Sequence, residues 1–467
     1  GLTKTGAGTL ILSGANTYNG ATTIDNGTLT ISNAAAFTST SQIVLNGAST
    51  RLEVSAADSD LTKLVAGGGV PVGTFLKYSS TQTAAGPANG PGTILGTVEL
   101  NANNVNPDYT LDFGSGSKFL NLFSYTYASP ITLSGDASID ASQNTRVFTL
   151  SSGGITASTA GAKTLNLTGS YNGPNTINSV IGNGSGTIAV AKTGNGAWTL
   201  TGANTYSGAT TASAGTLTLS GADGSIASSA VTMDGGTLTL SNTGAANNGD
   251  RLSDSSAFTM NGGTLNYNVD ASANDFSESA GTLTLVGGAS TVGIQQAAIG
   301  QTSTLTFAGL SRTIGAINFS GAGLGTVVDP RSKITFTSAP TLADGIIGPW
   351  ATVNGTDYAS LDGNDVVAYG GAMTDLTRQS SGTKVIPDSA TADVRILEGT
   401  GGGAANLTLA ATTTTIDSIL NSVSGGTGTT TIDIASGETL GVNSITMVPT
   451  AGALTLGTAA DTGTLQP

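Results

Sequence analysis

Carboxylates are the first side chains to weigh for chemistry in this sequence, because histidine and cysteine are both absent. Without them there is no Ser-His-Asp nucleophile, no imidazole or thiolate metal site and no disulfide. A pair of carboxylates flanking a glycosidic bond could still hydrolyse a polysaccharide. The candidates are Asp357, Asp362 and Asp365, close in sequence to Trp350, and Asp388, Asp393 and Glu398 around Arg395. Most lie in Gly-, Asn- or Ser-rich, turn-like contexts, where solvation keeps a carboxyl an ordinary acid and a turn role accounts for it. Asp329-Pro330-Arg331 is too short to make a calcium-and-arginine lyase site. The calcium-binding pattern Gly-Gly-x-Gly-x-Asp is missing, since Gly235-Gly236-Thr237 and Gly262-Gly263-Thr264 run straight into strand sequence. Incidental calcium at the loop 357–365 is the one metal reading left open. No catalytic, cofactor-binding or metal-binding residue is assigned, and the chain is read as a non-enzyme.

Binding chemistry falls instead to aromatic rings. Tyr109, Tyr125, Tyr127 and Trp350 are the candidates for contact with a glycan or another subunit, because a ring offers flat apolar area with a polar tip. Phe123-Ser124-Tyr125-Thr126-Tyr127 alternates as a strand would. Two readings stand there: an exposed row of tyrosines that stacks on sugar, or a wider turn with a larger core. Trp198 replaces the leucine found at the equivalent position of an earlier copy of the same block, so its expected role is packing.

The elements that must carry these residues are short strands. The signature Gly-Thr-Leu-x-apolar begins at Gly27, Gly215, Gly236, Gly263 and Gly281. In each, Leu and the second apolar residue share one face while Thr or Asn takes the other, the period-two pattern of a half-buried strand. β-branched Thr favours extended backbone and keeps the outer face wet. Helix signals are nearly absent, at most one turn at Asp417–Asn421. The strand signature recurs at about the spacing of one solenoid turn, which predicts roughly 20 turns of ~22 residues. Irregular excursions are expected near 66–92, 101–130 and 340–403, where Gly, Pro and aromatics break the rhythm.

Composition agrees with that organisation. Of 467 residues 68 are glycine, and charged residues make up 9%, against about 25% in ordinary domains. Hydrophobic content is 38%, enough to bury a core if alternation organises it. The net charge of −14 has no basic cluster, which argues against nucleic acid and against anionic lipid. No stretch is apolar for the 18 or so residues of a membrane helix. Both ends look cut from something longer, and Gly1-Leu2-Thr3-Lys4 lacks a signal peptide.

One block occurs twice. Residues 2–32 and 190–220 are identical in register at 19 of 31 positions, with Lys-Thr-Gly-x-Gly, Gly-Ala-Asn-Thr-Tyr-x-Gly-Ala-Thr-Thr and Gly-Thr-Leu-Thr in both. These motifs resemble the autotransporter-associated β-strand repeat, or passenger-associated transport repeat, of bacterial surface proteins. The stretch from Gly345 to Ala359, with Pro349-Trp350 inside it, is similar to a segment common in very large proteins of that kind. With the alternation, this predicts an all-β fold: a right-handed, single-stranded parallel β-helix running continuously over 1–467. The resemblance implies export and display at a bacterial outer surface. A structural fibre or surface-layer scaffold is the first functional reading, a glycan-binding adhesin the second, and a polysaccharide-degrading β-helix the third. Self-association end to end, or continuation into further repeats, is expected because bare strand edges invite another chain.

Overall fold

A computed structural model describes residues 1–57, 59–79, 94–100, 111–121, 125–142, 146–270, 275–295, 298–325, 331–371, 373–377, 383–397, 406–422, 430–448, 451–457 and 463–466. Their regular elements are nearly all strands, and they wind a β-solenoid of about 15 turns. That is fewer than the spacing predicts, because turns vary in length. Side chains that bond across neighbouring turns are 21 residues apart at Asn46 and Asp25, 28 at the Thr164 amide and Asp136, and 33 at the Gly321 amide and Asn354. The described residues fall into two compact units, Gly1–Ala271 with Glu278–Thr282 and Ser272–Ser277 with Leu283–Pro467.

In the first unit, strands stack parallel and in register, so like side chains form columns through the core. One column runs Leu10, Leu29, Leu52, Leu76, Val98, Phe119, Ile139, Leu167, Lys192, Ala212 and Met233. A second runs Tyr127, Leu150, Ile177, Leu200, Leu219, Leu240 and Tyr267. Nearly all of these side chains are buried, and each large apolar one contributes about 1.5–3 kcal/mol by leaving water. Thr237–Asn242 alternates half-buried and buried residues throughout, the Thr-out, Leu-in arrangement that the sequence predicts. The glycine before such a strand turns the corner: Gly27 has φ +72° and Gly215 has φ +60°.

Within 101–130, Tyr109 lies outside the described residues. The remainder does not leave the solenoid where it is described: Leu111–Phe113, Ser117–Asn121 and Tyr125–Tyr127 are strands paired in register with their neighbours. Residues 80–92 of the stretch 66–92 also fall outside the description, while Phe75–Tyr78 is a regular strand.

The second unit begins with parallel pairs such as Leu283 on Leu310 and Val292 on Phe319. It then breaks the pattern inside 340–403, where Ala351–Val353, Asp357–Asp362 and Asp365–Ala368 form antiparallel hairpins. Parallel stacking resumes with Leu376 on Ile396, with Ile386 on Leu409, and with Leu407, Ile432 and Leu456 in one column. The single helical turn expected at Asp417–Asn421 is instead part of a strand, Thr413–Asn421. Ile416, Ile419 and Leu420 have helix-like spacing, but the strands beside them supply a ladder: Ile419 pairs with Val394 on one side and Ile445 on the other. A short α-helix occurs at Thr62–Ala66, where the sequence carries no evident helix signal. No helix among the described residues is long and apolar enough to cross a membrane.

Candidate functional sites: inter-turn bonds and the Trp350 cleft

The doubled block does the same structural work in both copies. Lys192 ends the strand Thr187–Lys192 on its inward phase and lies between Leu167 and Ala212 in the core column. A buried ammonium must be hydrogen-bonded. Its Nζ donates to Gly194 O in its own turn and to Ala214 O of the next, the latter at 2.9 Å. Lys4 repeats the arrangement with Gly6 O and, at 3.1 Å, Asn26 O. The Lys-Thr-Gly-x-Gly opening is therefore a loop curled around an inward lysine. Burial lowers the Lys192 amine to about 8.

The other shared residues brace their own turn or join it to its neighbours. Tyr18 and Tyr206 each hydrogen-bond the threonine four residues on, Thr22 and Thr210, at 2.7 Å; burial raises the Tyr206 hydroxyl above its ordinary value. Asn204 accepts from the Ile181 amide of the turn before at 2.9 Å and donates to Ser225 O of the turn after, also at 2.9 Å. Gly27 packs against the carbonyls of Gly6 and Gly8, and Gly215 against those of Gly194 and Gly196. The inward lysines are left unplaced by the sequence reading. Their signal was available in the phase of the alternation, since Lys192 is in step with Ile188 and Val190.

A second buried polar group lies between Asn242 and Glu278. Arg251, fully buried, donates from Nε to Asn242 Oδ1 at 2.7 Å, from Nη1 to Gly224 O at 2.6 Å, and from Nη2 to Gly221 O and Ala246 O. The Glu278 carboxylate accepts from the Arg251 and Leu252 amides at 3.0 Å each. Burial pushes the Glu278 carboxyl up to about 7, against the pull of those two amides. All of these partners belong to the first unit, and the group ties irregular loops to the body.

The candidate carboxylates are engaged separately. Asp357 pairs with Arg395, which also grips Asp375 through Nε and Nη2 at 2.8 and 2.9 Å. Asp365 pairs with Lys333 at 2.5 Å, Asp388 accepts from the Thr415 amide at 2.9 Å, and Asp362 is exposed. Asp393 is buried and accepts from Ser418 Oγ at 2.5 Å; burial raises its carboxyl, and Asp417 and Asp344 add to the shift. Glu398, Asp329 and Pro330 lie outside the described residues. Among the described residues no three His, Cys, Asp or Glu side chains gather to hold a metal ion.

The aromatic candidates separate as well. Tyr127 is fully buried, which corrects the reading of it as an exposed sugar-stacking ring. It joins Phe113, Phe119, Phe148 and Trp198 in a run of rings with centroids 5.5–5.7 Å apart. The wider-core alternative therefore accounts for this ring. Tyr125 has its backbone in the Tyr125–Tyr127 strand, with its side chain outside the description. Trp198 is buried and donates Nε1–H to Thr168 O at 3.0 Å, as its packing role requires.

Trp350 differs from these rings. It is half-buried, with the Arg312 guanidinium 4.8 Å above its ring, and it walls a cleft of about 510 Å³. The opposite wall is the end of the strand Thr439–Met447, and Thr446 Oγ1 donates to Pro349 O to hold the two together.

Comparison with known proteins accords with the repeat geometry. Residues 2–31 and 190–221 match the Passenger-associated-transport-repeat family. A stretch of 137 residues, 29% of this chain, is 29% identical to the Adhesin BmaC autotransporter of Brucella suis biovar 1 (strain 1330). The match covers 4% of that protein, so the chain spans a small part of its length. No solved structure matches the chain. Residues 2–31 and 190–221 are passenger-associated-transport repeats, and the β-solenoid that carries them is similar to a stretch of an autotransporter passenger.

Proposed function

We propose that this chain is a stretch of an exported, surface-displayed bacterial passenger, a repeat-built scaffold with no catalysis of its own. The observation that carries this reading is what the repeat conserves between its two copies. Lys4 and Lys192, Asn16 and Asn204, and Gly27 and Gly215 all close one turn onto its neighbours. What is repeated is a way of stacking rather than a reactive group. Asp357 and Asp365 are held in ion pairs, which suits structure better than proton transfer. Association with the outer membrane, and end-to-end association through strand edges, complete the proposal.

Labelling intact cells that display the full-length protein with antibody to this segment, before and after external protease, tests the location. A signal that appears only after lysis would refute it. Incubation of the purified chain with pectin, alginate, xylan and peptides tests the absence of catalysis; turnover lost in Asp357→Asn or Asp365→Asn would overturn it. An adhesive role is the second reading, favoured by the matched relative's description as an adhesin and by the half-exposed Trp350 in its cleft.

A further inference from the structure

We propose that the Trp350 cleft binds a uronate-bearing oligosaccharide, with the sugar ring against the indole and its carboxylate on Arg312. The proposal rests on the adhesive reading and gives it a ligand class and a site. The cleft lies wholly within the second unit. Its volume, about 510 Å³, is within the range of small-molecule sites, roughly 300–1,000 Å³. Pro349 and Trp350 form one side, Asn443, Thr446 and Met447 the other, and Arg312 stands at the edge.

Three observations point to the ligand. The first is the indole. A ring left half-exposed offers a flat apolar face, and the C–H face of a pyranose fits such a surface. Among the described residues the indole N–H has no hydrogen-bond acceptor, so it remains available to a sugar hydroxyl.

The second is the charge. Arg312 Nε donates to Gly315 O at 2.8 Å, and its guanidinium stacks on Trp350. Those contacts fix the group while leaving both terminal nitrogens unused. Arg312 makes no ion pair with a described residue, and no acidic side chain lines the cleft. In a chain of net charge −14, an oriented and uncompensated guanidinium suits a single carboxylate, which it can hold bidentately. A nucleic acid would need a track of cations to follow its phosphates, and one arginine is not that.

The third is a pair of hydroxyls without partners. A smaller chamber of about 60 Å³ adjoins the cleft and shares Ala316, Trp350, Thr446 and Met447 with it. Ser290, 3% exposed, lines this chamber, and its Oγ has no hydrogen-bond partner. Ser444 Oγ, on the wall of the outer cleft, is likewise buried and unpartnered. A buried hydroxyl left unpaired is costly. Ligand hydroxyls reaching past the indole would satisfy both serines. One flat apolar face, several hydroxyls and one carboxylate together describe a uronic acid sugar.

The test titrates the purified chain with tetragalacturonate and with maltotetraose as the neutral control, at low and high salt. Calorimetry reads affinity and tryptophan fluorescence reports the indole. The expected result is saturable binding of tetragalacturonate that weakens with salt, about tenfold or more weaker in Arg312→Gln and lost in Trp350→Ala. Maltotetraose should bind at least about tenfold more weakly than the acidic sugar. No binding of tetragalacturonate, equal binding of the neutral sugar, or affinity unchanged in Arg312→Gln would overturn the proposal. Arg312 is exposed, so its variant keeps the fold and decides the matter even if Trp350→Ala unfolds the unit. Adherence of cells displaying the protein is measured separately. Adherence that persists without any tetragalacturonate binding would sink this site and leave the adhesive reading standing.

Discussion

Gly215→Ala tests whether the repeat's glycines hold turns together. Gly215 has φ +60°, a backbone conformation that costs a residue with a Cβ about 1–2 kcal/mol. The added methyl would lie 2.3 Å from Gly196 O and 2.4 Å from Gly194 O. Both oxygens are backbone atoms of the preceding turn; Gly194 O is held by Lys192 and Gly196 O by the Thr216 amide, so neither can swing aside. Overpacking of this kind costs about 1–3 kcal/mol, and the two effects together predict a loss of roughly 2–5 kcal/mol. Gly27→Ala is an internal replicate, with φ +72° and contacts of 2.5 Å to Gly6 O and Gly8 O. Gly8→Ala is the control, because a methyl there meets nothing within 4 Å; its effect should stay within about 0.5 kcal/mol. Solenoids open locally, so hydrogen exchange is the sharper assay. Amides in Ala197–Leu200 and Thr216–Leu219 should exchange at least about tenfold faster in Gly215→Ala. Unchanged protection, or equal effects from Gly215→Ala and Gly8→Ala, would refute the reasoning.

Arg251→Leu removes four side-chain donations, two of them to the buried Asn242 and Gly224, and should destabilise the first unit by roughly 3–5 kcal/mol, read as a lower urea midpoint. Glu278 makes stability depend on pH: its carboxyl is raised from 4.5 to about 7 in the fold, so the folded chain keeps a proton that the unfolded chain has released. That contribution is complete below pH 4.5 and is lost as pH rises through 7, roughly 3 kcal/mol at most. Glu278→Gln should flatten this slope in urea titrations between those values. Tyr206→Phe deletes one buried hydrogen bond and should cost about 1 kcal/mol, with a smaller loss for Tyr18→Phe because Tyr18 is only half-buried.

The parts of this molecule legible in the sequence are those encoded by local alternation. Thr216-Leu217-Thr218-Leu219 announces which residues face inward, because a slip of one position would send both leucines into water; Leu217 and Leu219 are indeed buried. The same rule, applied strictly, would have placed Lys192 inside. Its charge argued the other way, since the carbonyls that accept its protons come from a loop and a neighbouring turn whose approach no strand pattern specifies. Tyr127 carried the converse ambiguity: alternation gives a strand, but whether its face is core or surface depends on the turns stacked against it. The carboxylates depended on longer-range geometry still. Arg395 and Asp375 meet only because the strands 374–377 and 389–397 stack in register. The Trp350 cleft was the least legible, for two reasons. Its walls require an antiparallel interruption of a parallel solenoid, and the hydrogen bond that closes it joins Pro349 to Thr446, 97 residues further on. A repeat sequence records how each turn meets its neighbours, so a site made where the repetition breaks leaves almost no periodic trace. That is the physical reason to look for the ligand where stacking fails, and to expect Gly215 and Arg312 variants to part ways: the first loosening the solenoid, the second leaving it intact and weakening the hold on an acidic sugar.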